Sequence, residues 1–339
     1  KYDEQPESQD GWQHDVALGI HIFPYIEQGM YQMCCGDYDR APTREEILAR
    51  VREWAKPEAT GRLASGGFGS QELLQRICQA LLASGTKDRQ GEPVIGSVGQ
   101  YSWISGSRWA VQFPLNLSPD IPGGAGQVRL DEVRGLLKDD RLTGLYLDSY
   151  SGHIDRVNYA TDQLQWLSYP PLFDAQTKQP CDLVGFSHWA WADALSELLP
   201  AAKRALLPNL YNQPVPFPWH RFAVVGKEFW PDPVRPLMQQ CRAMAEHKVV
   251  TQLPAYEDAS PQFLRNLLLL DIFPGGYARH TDDPPLGMRA TYRVVIPLLR
   301  MLDKLGWEPL TQARATSVGL QLERYGSAPG PVAVVARSE

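Results

Sequence analysis

The sequence predicts an α/β chain built as a (β/α)8 TIM-type barrel, one strand short at its N-terminal side, with a small antiparallel β element at the C-terminal end. Three observations predict it. Apolar strands alternate with amphipathic helices along the 339 residues, and strands that are apolar throughout imply a parallel sheet covered on both faces. Several of those strands run straight into acidic or aromatic residues, at the end where a barrel keeps its site. The Gly-rich first turn of an open doubly wound sheet, the rival layout, is absent.

In chain order, Val16–Phe23 reads as a buried strand. Thr43 opens a helix through Trp54, with Glu46 completing a capping box. Leu73, Leu74, Ile77, Leu81 and Leu82 give Ser70–Ser84 the spacing of an amphipathic helix. Pro93–Val98 is the second strand, Leu130–Asp139 a helix, and Gly144–Asp148 a third strand that ends on an acid. Further strands are expected at Ala205–Leu207, Phe222–Val225, Val249–Leu253 and Leu268–Phe273. The helices between them fall near Ser187–Leu199, Pro233–Glu246, Pro261–Leu267 and Tyr292–Leu305. Seven strands result, and a barrel needs eight. The missing first one is expected in the N-terminal stretch or upstream of Lys1. In the second case an additional domain or chain supplies the missing part. After Gly306 the texture changes, and Trp307–Ala315, Val318–Tyr325 and Val332–Ala336 read as antiparallel strands. The expected division is a barrel domain over 1–305 and a β element over 306–339.

Composition narrows the function. With 43% hydrophobic and 21% charged residues, the chain is neither disordered nor a membrane protein. A net charge of -6 argues against nucleic acid or an anionic membrane as partner. Ten Trp and fourteen Tyr suit either a sugar-binding cleft or a large core. Five cysteines with no CxxC spacing give neither a disulfide framework nor a zinc ribbon. No HExxH, no P-loop and no GxSxG elbow is present, so no metal and no cofactor are expected. The Gly-rich run Ser65–Ser70 reads as a loop before the next helix, and His188 as core or helix-cap material.

Strand ends then supply the candidates. Asp148 closes the third strand and Glu228 follows the fifth, two carboxylates with aromatic residues beside each. Such a pair suits glycoside hydrolysis, one group acting as nucleophile or base and the other as proton donor. A separation of ~5–5.5 Å favours retention of configuration and ~6.5–9.5 Å inversion. Alternation along a strand end turns Glu228 toward the cleft and Lys227 away. A capping role in a βα turn remains the alternative for Asp148, and a surface ion pair with Lys227 the alternative for Glu228. Glu27, Tyr101, Trp103, Tyr150, Asn209 and Trp230 are the expected substrate-binding residues. The loops Gln100–Trp109 and Asp148–Asp155 would form the cleft wall.

Several short runs carry a family resemblance. They are Gly144–Ser149, Asn158-Tyr159, Tyr169-Pro170 with Phe173-Asp174, Ile272–Gly275, Gly306–Pro309 and Glu323–Gly326. Together they resemble bacterial glycoside hydrolase barrels, similar in layout to the endo-α-N-acetylgalactosaminidase and α-galactosidase groups. The resemblance touches roughly residues 140 to 326. It implies a nucleophilic Asp at the end of the fourth barrel strand, matching Asp148, and an acid on a later strand, matching Glu228. The α-galactosidase group uses Asp as its acid, so Glu228 departs from that pattern. The reading implied is a retaining glycosidase acting on a carbohydrate, in an extracellular or periplasmic setting. A non-catalytic carbohydrate-binding or structural barrel is the competing reading.

Overall fold

The computed structural model describes residues 9–27, 30–36, 38–57, 71–100, 109–199, 205–210, 221–227, 235–252, 261–275 and 288–338. The chain divides into two compact units, Lys1–Ala205 and Leu206–Glu339.

The first unit opens differently from expectation. Helix α1 (Gln9–Ala17) takes up part of the stretch read as a strand. Gly19, at φ +73°, ends that turn. The N–H of Ile20 bonds the carbonyl of Asp15 and that of Gly19 the carbonyl of Val16, the paired bonds of a Schellman C-terminus. Val16 and Leu18 are 43% and 62% exposed, so the first part of this apolar run does not feed the core. Past it, Ile22 makes an isolated parallel bridge to Leu142, and the first regular strand is β1 (Tyr25–Glu27). Glu27 therefore lies in the strand and not beyond it.

Strand β2 (Met30–Gly36) follows, then helices α2 (Arg44–Trp54) and α3 (Gln71–Ser84). The Thr43 capping box is present. The Thr43 hydroxyl accepts from the Glu46 N–H at 3.3 Å, and the Glu46 carboxylate accepts from the Thr43 N–H at 2.7 Å. Strand β3 (Ser97–Gly99) corrects the expected second barrel strand. It pairs antiparallel with β4 (Trp109–Pro114), whose other edge carries β2, also antiparallel. The cause is visible in its burial: β3 is half-buried along its whole length, unlike a strand covered on both faces. The connection over Gln100–Trp109 thus links antiparallel strands and does not leave the carboxyl end of a barrel strand.

Next come α4 (Ala125–Leu136), β5 (Gly144–Asp148), β6 (Val157–Asn158), a short 3-10 helix at Thr161–Trp166, β7 (Leu172–Phe173), β8 (Pro180–Leu183) and α5 (Val184–Leu198). Strands β6, β8 and β7 form a small antiparallel sheet. Strand β5 runs parallel to β1, with Tyr25, Ile26 and Glu27 opposite Tyr146, Leu147 and Asp148.

The small sheet buries an acid. Asp182 is 2% exposed, and its Oδ2 has no hydrogen-bond partner. Burial pushes its carboxyl up to about 7. Below the unfolded value the group is neutral in both states and costs nothing. As pH rises from about 4 toward 7, only the unfolded chain ionises freely, and stability falls by roughly 4 kcal/mol. Asp182→Asn should therefore melt higher than wild type at pH 8, the gain shrinking to nothing near pH 4. A melting-temperature difference that stays constant over this range would refute the assignment.

In the second unit, parallel strands β9 (Ala205–Leu210), which begins on the last residue of the first unit, β10 (Val224–Lys227), β11 (Val249–Gln252) and β12 (Ile272–Phe273) stand side by side in chain order. Helices α6 (Arg235–Ala245), α7 (Pro261–Leu269) and α8 (Met288–Leu305) follow β10, β11 and β12 in turn. Val225, Val250 and Ile272 are fully buried in the ladder. The antiparallel strands β13 (Trp307–Glu308), β14 (Leu320–Tyr325) and β15 (Ala333–Ser338) form the expected C-terminal sheet. It packs through Trp307 and Tyr325 onto Leu302, and the Tyr325 hydroxyl donates to the Leu269 carbonyl at 2.6 Å.

Six parallel strands are thus described against the eight of a barrel, in a two-strand ladder and a four-strand ladder, and neither ladder closes on itself among the described residues. The α/β character and the separate C-terminal sheet stand as expected. The closed barrel does not.

Candidate active site

Strand β5 carries the centre of the site. A Cβ at Gly144 would lie 2.0 Å from the carbonyl oxygen of Ala205, so only glycine admits that backbone. Leu145, Tyr146 and Leu147 are buried to within 1%. Asp148 is the first half-buried residue of the strand, held at its carboxyl end by three apolar or aromatic neighbours in the core.

Three hydroxyls converge on its carboxylate. Tyr25 donates to Oδ2 at 2.6 Å, Ser149 to the same oxygen at 3.1 Å, and Tyr146 to Oδ1 at 3.2 Å. The Tyr25 and Tyr146 rings lie 5.6 Å apart, tilted by 43°, as their register on adjacent parallel strands requires. Glu27 is the residue opposite Asp148 in that register. Two candidate carboxylate positions thus end neighbouring strands side by side. A sequence signal for this existed: the triplet Tyr-apolar-acid closes both strands, as Tyr25-Ile26-Glu27 and Tyr146-Leu147-Asp148. Alternation sends Tyr146 and Asp148 to one face. Tyr25, Tyr146 and Ser149 were not among the expected site residues.

The turn after Asp148 is tightly constrained. Ser149 has φ +49°, a left-handed conformation uncommon for a residue with a side chain, and its carbonyl accepts from the Gly152 N–H at 2.7 Å. Tyr150 corrects an expectation. It is 2% exposed, its hydroxyl donates to the His188 carbonyl at 2.9 Å, and its own carbonyl meets His188 Nδ1 at 3.0 Å. A ring so enclosed offers no stacking face, and the side chain ties the loop to α5. His188 Nε2 lies 3.2 Å from the Leu115 carbonyl. Burial pushes that imidazole down to about 4, so it is a neutral core histidine, as the sequence suggested.

The second unit gathers polar side chains at its own strand ends. Asn209 on β9, Lys227 on β10 and Gln252 on β11 are 3%, 4% and 1% exposed. Lys227 Nζ donates to the Leu210 carbonyl at 2.5 Å. That bond and its burial hold the Lys227 ammonium inside the protein. Buried polar groups require partners, and their concentration at the carboxyl ends of parallel strands matches where α/β folds keep ligands. Glu228, Tyr101, Trp103 and Trp230 lie outside the described residues. Among the described residues, no group of three or more His, Cys, Asp or Glu side chains could hold a metal ion.

No protein-family model matches the chain, and no curated protein sequence does. Among solved structures, an α-N-acetylgalactosaminidase from Bifidobacterium bifidum, in complex with GalNAc, matches over 97% of this chain and 51% of its own, with a TM-score of 0.44 and 8% identity. The chain therefore spans about half the length of that enzyme. The Asp148 cluster carries the functional reading.

Proposed function

We propose that this chain is a retaining glycoside hydrolase in which Asp148 is the nucleophile and Glu228 the acid and base. One observation supports the reading above the others: a half-buried carboxylate at the end of a parallel strand receives three hydroxyl donors from two strands and a constrained turn. An acid whose task is to cap a βα turn binds backbone N–H groups. Three side-chain hydroxyls donate to Asp148, and together they fix the plane of the carboxylate.

In the first step an Asp148 oxygen bonds to the anomeric carbon as the bond to the leaving oxygen breaks, and that oxygen takes a proton from Glu228. In the second, water attacks the same carbon, Glu228 recovers a proton from the water, and the ester bond to Asp148 breaks. Asn209, and Glu27 beside Asp148, are proposed to bind sugar hydroxyls. A panel of aryl α- and β-glycosides, including galactosides and N-acetylgalactosaminides, should contain one that the protein hydrolyses. NMR of the first-formed sugar should give the anomer of the substrate. The opposite anomer would eliminate the nucleophilic role. Sugar binding without hydrolysis of any panel member would establish the non-catalytic reading.

A further inference from the structure

From the register of β1 and β5 we infer that Tyr25 is a positioning residue for Asp148, fixing the orientation in which its carboxylate attacks. The inference rests on the proposed nucleophilic role of Asp148 and deepens it.

The terminal torsion of an aspartate is soft, and a carboxylate at a strand end turns readily about it. Fixing it takes a donor on each oxygen, from supports that do not move with the side chain. Tyr146 reaches Oδ1 from the same strand, two residues back, over a long 3.2 Å contact. Ser149 reaches Oδ2 from the adjoining residue at 3.1 Å. Tyr25 differs on both counts. It bonds Oδ2 at 2.6 Å, the shortest of the three, and it does so from β1, 123 residues away in the chain. Of these three hydroxyls, the Tyr25 phenol is the one that refers the carboxylate to a second strand. Its ring is itself held, in register with Tyr146 and in contact with it at 5.6 Å.

The hydroxyl and the ring can be separated experimentally. Tyr25→Phe keeps the packing on Tyr146 and removes only the donor. A carboxylate that wanders from its attack geometry loses rate and not affinity, by about 10–100-fold. For Tyr25→Phe, kcat on the hydrolysed aryl glycoside should fall by this factor, with KM within about twofold and the melting temperature unchanged. The second arm removes the carboxylate. Asp148→Gly supplied with azide should form the glycosyl azide of inverted configuration, since the small anion then attacks in place of the side chain. In that background Tyr25→Phe should change the azide-dependent rate by less than about twofold, because the group it positions is gone.

An equal loss in both backgrounds overturns the inference, since Tyr25 would then act on the fold or the substrate and not through Asp148. So does a Tyr25→Phe protein with wild-type kcat. An active Asp148→Asn protein would defeat the proposed function. An inactive one beside a fully active Tyr25→Phe protein would defeat this inference alone.

Discussion

Asp148→Asn should lose on the order of 10⁴-fold in kcat/KM toward the glycoside that wild type hydrolyses, the scale seen when a nucleophile is removed from a catalytic unit. Asn has the shape of Asp and keeps one accepting oxygen. The three hydroxyls around position 148 therefore retain much of their geometry. What is lost is the charge that makes the oxygen nucleophilic and its capacity to form the glycosyl ester. Circular dichroism and the melting curve should match wild type, which separates chemistry from folding. A variant that keeps a tenth or more of the wild-type rate would remove Asp148 from the mechanism, whatever the substrate.

The largest expected effect on stability lies in the second unit. Arg242 on α6 is 1% exposed, and its guanidinium donates to the carbonyls of Glu246, Lys248 and Asp271. The same group lies 5.8 Å above the Trp307 ring, and so joins α6, β12 and the C-terminal sheet. Arg242→Met fills most of the volume but leaves the buried Asp271 carbonyl and the part-buried carbonyls of Glu246 and Lys248 without that donor. An unsatisfied buried acceptor costs ~1–3 kcal/mol. Partial relaxation brings the expected total to roughly 3–5 kcal/mol, in line with breaking a buried charged network. Urea unfolding should show a midpoint lowered by the corresponding amount at unchanged slope. A midpoint shift worth less than about 1 kcal/mol would show that the carbonyls find other donors.

The parts legible in the sequence were those whose cause is local. Strand β5 announces itself as an apolar run closed by an acid. The α2 start follows from Thr43 and Glu46, three residues apart. The C-terminal sheet follows from alternation and glycine. What failed has a common cause. Val16–Phe23 is as apolar as β5, yet a glycine at positive φ and the exposure of Val16, Leu18 and Ile20 make its first part a helix end, and Ile22 beyond it is buried. Composition alone does not record which apolar run finds a partner. Pro93–Val98 failed similarly, since the direction of pairing depends on β4, a strand whose own hydrogen bonds lie elsewhere in the chain. At the site, Asp148 was readable because a strand that ends on an acid stands out. Tyr25 was not, because its meaning comes from a bond spanning 123 residues. Tyr150 misled because an aromatic ring in a polar loop reads as a sugar platform, until His188 is known to lie behind it.

That long bond also bears on the order of events as the chain folds. Helices such as α2 and α3 need only their neighbours, and β5 can pack early on local apolar contacts. The pairing of Tyr25 with Asp148 closes a loop containing six intervening regular elements. Such closure is entropically costly and therefore late. A refolding molecule passes through species with much of its secondary structure formed and an aspartate still swinging at the strand end. Recovery of catalytic competence would lag behind recovery of helical signal, and the interval between them is the time the N-terminal strand takes to dock.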